Sequence, residues 1–298
     1  MKNNTLMNFL SGVAMSALAL SSFGCGGEAA VDQTGDTSQA VQSRIHIMPV
    51  QRGSQPQPER SASAAKTLTN YGGPTLKNVQ VYPVYWRSTP NCASTSQGAY
   101  TCHVASSMYT SLLPQYSGIG TGTNHAAYLD TGASSSTSLS EATIIARLNA
   151  LFTAGSIPAP AANNYYPIHF PAGVSITASD GSRSCVQFCA YHGTYVRNGV
   201  NVYFVVIPDL GGSCAGGCGG STQCNNTASV QSHELVEATT DPAVGLATVY
   251  GPPLAWYNAT YGEIGDICNG AQSSVTCSNG TFTIQTEWSN SKNACAVN

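Results

Sequence analysis

Within the run QSHELVEATTDP, residues 231–242, one histidine and three acids stand close together: His233, Glu234, Glu237 and Asp241. Imidazole and carboxylate are side chains that bind protons and divalent cations near neutral pH. On a helix, His233 and Glu237 fall one turn apart on the same face, so both can grip one ion. Glu234 is turned about 100° away, onto the flank, where a carboxylate can accept a proton from ion-bound water. Asp241 falls another turn along, roughly on the His233 face. A second acidic stretch, residues 261–266 (YGEIGD), offers Glu263 and Asp266 between glycines that let the backbone turn sharply.

The spacing is His-Glu-x-x-Glu. It is similar to the His-Glu-x-x-His segment of zincin-like metallopeptidases, in which two histidines hold zinc and the glutamate is the general base. Here Glu237 stands where the second histidine would be. The resemblance implies metal ligands at His233 and Glu237, completed by Glu263, Asp266 or Asp241. It implies a catalytic Glu234, with Tyr257 or Tyr261 steadying the oxyanion. One histidine among several carboxylates is a harder donor set than usual zinc sites, so calcium is the alternative to zinc, and manganese and magnesium are compatible. The competing expectation is a buried polar network that ties the helix to the 256–268 loop. Of the remaining histidines, His103, His125 and His169 read as structural or surface residues, and His192, close to Cys189, is the one to watch.

The setting sharpens the pattern. Charged residues make up only 8% of 298 residues, against about 25% in an average soluble protein. Ten acids follow residue 66, and five of them lie between 233 and 266. The net charge of −3 comes with only 11 Lys and Arg and no basic stripe, which excludes nucleic acid as an expected partner. Residues 1–25 read as a secretory signal whose SFGC end resembles a bacterial lipoprotein box, with Cys25 as the lipidated residue. The expected location is the cell envelope or the extracellular space, with membrane contact only through that lipid. Removing Cys25 leaves ten cysteines, Cys92, Cys102, Cys185, Cys189, Cys214, Cys218, Cys224, Cys268, Cys277 and Cys295. In an oxidising compartment these are expected to form five disulfides, with Cys92–Cys102 the easiest local pair. The Cys-x3-Cys spacings would also suit zinc, but no histidine has finger-like spacing beside them.

Residues 26–66, rich in Gly, Gln, Ser, Ala and Pro, read as a disordered linker, and residues 67–298 as the folded domain. Strands are expected at 79–86, 168–176, 201–209 and 281–288, with Pro83 marking an edge or bulge in the first. A short helix is expected at 106–113. A clear one spans 141–154, with a Ser138/Glu141 capping box, Ile144, Ile145, Leu148, Leu151 and Phe152 on one face and Gly155 at its end. The motif helix should run from 228 to 239 and stop before Pro242. Residues 211–224 read as a stapled Gly/Cys loop. The fold class is therefore α+β: a single disulfide-bonded domain with a mixed or antiparallel sheet and a motif-bearing, zincin-like helix.

Four segments, YGGPTLKNVQVYPVYW, CVQFCAYHGTYVRNGVNVYFVVIPDLGGSCAGGCGG, ATTDP and TEWSNSKNAC, resemble the EXORDIUM or phosphate-induced protein family. That resemblance covers most of residues 69–295. It implies one secreted, disulfide-bonded α+β domain and carries no activity with it. Plant members lack the His233–Glu234 pair, so the motif points to chemistry in this branch. The expected function is an exported metal-dependent hydrolase acting on peptides or proteins. The alternative is a non-catalytic envelope protein that binds cell-wall glycan or partner proteins.

Overall fold

The strongest strand, Val200–Ile207, alternates between two cores, and this explains the architecture. Tyr203, Val205 and Ile207 face one apolar cluster; Val202, Phe204 and Val206 face another. A strand buried on both faces must lie inside a sheet covered on both sides. The computed structural model describes residues 46–50 and 66–298, and the described residues belong to one compact unit. Val200–Ile207 pairs antiparallel with Phe188–Arg197, which pairs antiparallel with His46–Pro49. On its other side it pairs parallel with Asn164–His169. Two short parallel segments, Gln80–Val81 and Val84–Trp86, continue the sheet beyond Asn164–His169. The result is a mixed, eight-stranded sheet with helices on both faces.

Helix α2 (Glu141–Thr153) covers one face through Ile144, Leu148, Leu151 and Phe152. Helices α1 (Ala93–His103) and α3 (Gln223–Thr240) cover the other. A hairpin, Gln272–Cys277 and Gly280–Gln285, lies across α3 and α1. Strand Glu287–Ser289 follows it. All ten expected cysteines are paired, as Cys92–Cys224, Cys102–Cys277, Cys185–Cys214, Cys189–Cys218 and Cys268–Cys295. Such bridging belongs to an extracellular or envelope setting. Among the described residues no helix is long and apolar enough to cross a membrane. Cys25 and residues 1–25, read from the sequence as a leader, lie outside them.

Several expectations need correction. Cys92 and Cys102 are not partners, because they sit at opposite ends of α1. Ten helical steps of 1.5 Å separate them by about 15 Å, beyond the reach of a disulfide. Residues 46–49, expected within the linker, form the edge strand of the sheet. The 79–86 strand is broken at Pro83, and both halves lie inside the sheet, so the proline marks a break and not an edge. Ser140, not Ser138, caps α2, accepting from the Thr143 N–H, because Ser138 belongs to a short strand. The 106–113 helix is a π turn followed by a 3-10 turn, Met108–Leu112 and Leu113–Gln115. The 168–176 strand is two strands, ending at His169 and restarting at Ser175.

Candidate metal centre

Helix α3 is polar, yet every residue from Asn226 to Thr240 is buried. Small side chains let α1 and the hairpin approach closely, and the polar groups find partners inside. Gln231 donates to the Ser96 carbonyl, Ser232 to the Ser229 carbonyl, and Ser232 Oγ accepts from the Gln285 N–H. Thr222 caps the first turn by accepting from the Asn225 N–H. The helix therefore carries His233, Glu234 and Glu237 into the interior, each at most 1% exposed.

Three other segments converge on them. Strand Phe188–Arg197 brings His192, the loop after Trp256 brings Glu263 and Asp266, and the end of the hairpin brings Gln285 and Glu287. His192 Nδ1 lies 3.2 Å from Glu234 Oε2 and 3.6 Å from Glu237 Oε2, and its Nε2 lies 3.5 Å from Glu263 Oε1. His233 Nε2 lies 3.1 Å from Glu237 Oε1. The Asp266 N–H donates to that same oxygen at 3.1 Å, and Asp266 Oδ2 accepts from the Glu263 N–H at 3.1 Å. Two sets of ligand atoms, His192–Glu237–Glu263 and His233–Glu237–Asp266, each lie within 4.8 Å of one another. Neighbouring ligands on one small divalent ion sit about 3–3.5 Å apart when bonds are near 2.1 Å.

Gly265 permits this convergence. A Cβ there would stand 2.6 Å from His233 Nδ1 and 2.8 Å from Glu237 Oε1, so only glycine lets the loop lie against the helix. Gly262, at φ +90°, makes the turn that brings Asp266 back onto the loop.

The electrostatics are unbalanced. Glu234, Glu237, Glu263 and Glu287 are all buried, with two buried histidines beside them. Every described Lys and Arg is exposed or half-buried. Burial, reinforced by Asp266 and Glu263, pushes the Glu237 carboxyl up to about 8 despite His233. Burial also holds Glu287 well above the carboxylate range. Burial alone would lower His192, but Glu263 and Glu234 outweigh it and raise the imidazole to about 10. Glu234 Oε1 meets no hydrogen-bond donor, although an unmet buried acceptor costs about 1–3 kcal/mol or more, and Glu287 has only the Gln285 amide beside it.

The structure thus brings together His233, Glu234, Glu237, Glu263 and Asp266. Asp241 is elsewhere: eight residues from His233, about 12 Å along the axis, it ends α3 and accepts from the Ala255 N–H at 2.9 Å. Tyr257 lies beside Tyr250 with the rings tilted, centroids 6.3 Å apart, and Tyr261 receives the Lys66 ammonium over its ring at 5.6 Å. His103 and His169 are buried and held neutral, their pKa lowered to about 3 by burial, as structural residues should be. Sequence reasoning did not place His192, Gln285 or Glu287 in the site. The signal for His192 was present: Asn198-Gly199 sits between two β-rich runs, a strong hairpin pattern that makes 188–197 a strand. Both turn residues have positive φ, +51° and +79°. No family model, no curated protein and no solved structure matches the chain.

Proposed function

We propose that the protein is an exported, metal-dependent hydrolase of zincin-like design, acting on peptides or proteins, with a divalent ion held by His233, Glu237 and Asp266. The observation that carries the reading is the charge imbalance. Four buried glutamates face two buried histidines, and Glu234 Oε1 has no donor. A divalent cation offsets two of these negative charges. Imidazole beside carboxylate favours zinc, since calcium prefers six to eight oxygens. A bound ion of this kind supplies Lewis acidity and a water of lowered pKa. Glu234 keeps one oxygen against His192 and presents the other as a proton acceptor. Five disulfides, and the resemblance to the EXORDIUM family, support export.

One observation favours a second reading. Glu234 is fully buried, and the Gly265 backbone lies against the His233 ring. A centre closed in this way suits a structural ion in a non-catalytic envelope protein. Metal analysis of the purified protein, followed by Glu234→Gln, separates the readings. At least one equivalent of metal is expected, lost together with stability in His233→Ala. Glu234→Gln is expected to keep metal and fold while hydrolysis of a peptide library falls about 100-fold or more. Bound metal with equal hydrolysis by wild type and Glu234→Gln rejects the mechanism. Bound metal with no hydrolysis by either leaves the structural ion. Less than a tenth of an equivalent, with no uptake of zinc or calcium, leaves only a polar network.

A further inference from the structure

We propose that Glu237 bridges two divalent cations, one on each carboxylate oxygen, so that the centre is dinuclear. The inference rests on the metal-centre reading above and extends it to a second site. The two oxygens of Glu237 face different histidines. Oε1 points to His233 Nε2 at 3.1 Å, on the side of Asp266; Oε2 points to His192 Nδ1 at 3.6 Å, and Glu263 Oε1 faces the same ring's Nε2 at 3.5 Å. A carboxylate that spans two such poles suits ions about 3.5–4 Å apart, the separation of two-metal hydrolytic centres.

Each pole has its own donors. At the first stand His233 and Asp266. At the second stand His192 and Glu263, with Glu234 Oε2 3.2 Å from His192 and Glu234 Oε1, fully buried, lacking any donor. That unmet oxygen, on a carboxylate whose other oxygen meets His192, is an observation independent of the acidic clustering. Charge points the same way. Glu234, Glu237, Glu263, Glu287 and Asp266 amount to five negative charges when ionised. One divalent ion with neutral imidazoles leaves three of them uncompensated, and two ions leave one. The competing arrangement places a protonated His192 where the second ion would be.

The test uses the full disulfide-bonded protein, stripped with a chelator and reloaded with Mn(II). Two equivalents per chain are expected, with an exchange-coupled electron paramagnetic resonance spectrum. His192→Ala should bind one equivalent and give the six-line spectrum of an isolated ion. The wild-type spectrum decides the matter even if that variant fails to fold. One equivalent with an uncoupled wild-type spectrum overturns the bridge and leaves the single-ion reading standing, with His192 as a cation. Two equivalents that both persist in His192→Ala, or two uncoupled ions in the wild type, also overturn it. No uptake of Mn(II) or zinc removes the bridge together with the metal reading on which it rests.

Discussion

Gln285 decides which nitrogen of His233 can meet an ion. Its Oε1 accepts from the Gly270 N–H at 3.2 Å, and its Nε2 donates to the Gly265 carbonyl at 2.9 Å. That same Nε2 faces His233 Nδ1 at 2.7 Å; with the amide donating, a neutral ring carries its proton on Nε2, toward Glu237. An ion at Nε2 needs the other tautomer, with Nδ1–H donating outward. Gln285 must then turn its amide over and release both glycines. Gln285→Glu supplies the acceptor and keeps the bond from Gly270, giving up only the one to the Gly265 carbonyl. Zinc affinity is expected to rise about tenfold, the scale of effects from groups that orient metal ligands. Competition against a chelator measures it. Zinc binding that is unchanged or weaker contradicts the tautomer argument. The motif residues on α3 were legible because they share one helix turn. Gln285 was not, because a neutral amide 52 residues away carries no spacing signal.

At the level of elements, the sequence disclosed those whose apolar pattern is regular. Helix α2 was expected at 141–154 and spans Glu141–Thr153, and the strand expected at 201–209 is Val200–Ile207. Helix α3 starts five residues earlier than expected, at Gln223. Buried on all sides by polar and small residues, it has no apolar stripe to mark its first turn. Disulfide pairing was illegible for another reason. Cys92–Cys224 and Cys102–Cys277 join residues 132 and 175 apart, and only the packing of α1 on α3 and the hairpin brings them together. The strand bearing His192 depends on the Asn198-Gly199 turn, where Gly199 has φ +79°. A β-branched residue there is strained by about 1–2 kcal/mol. Gly199→Val is expected to lower denaturant stability by that amount. A change of less than about 0.3 kcal/mol would show that the hairpin does not need a left-handed residue there.

For the whole molecule, the centre links stability to pH. Glu237 rises from 4.5 to about 8 on folding and His192 from 6.5 to about 10. Both bind protons more tightly in the folded state. Their stabilisation is complete below 4.5 and 6.5 respectively, and it is lost as pH rises through 8 and 10. The ion-free protein is therefore expected to melt on the order of 5–10 °C lower at pH 9 than at pH 5. The loaded protein should show a smaller fall or the reverse, since cations compete with those protons. Thermal scans with and without a chelator test this, and an ion-free protein that gains stability toward pH 9 contradicts it. The loop over His233 has a consequence for time as well as for energy. It ends at Cys268, which is bonded to Cys295, and its Gly265 backbone lies against the His233 ring. An ion that passes between the loop and the helix must wait for that covalently anchored loop to lift. Exchange is then paced by local opening, and a chelator in excess will strip the centre at a rate that no longer depends on how much chelator is present.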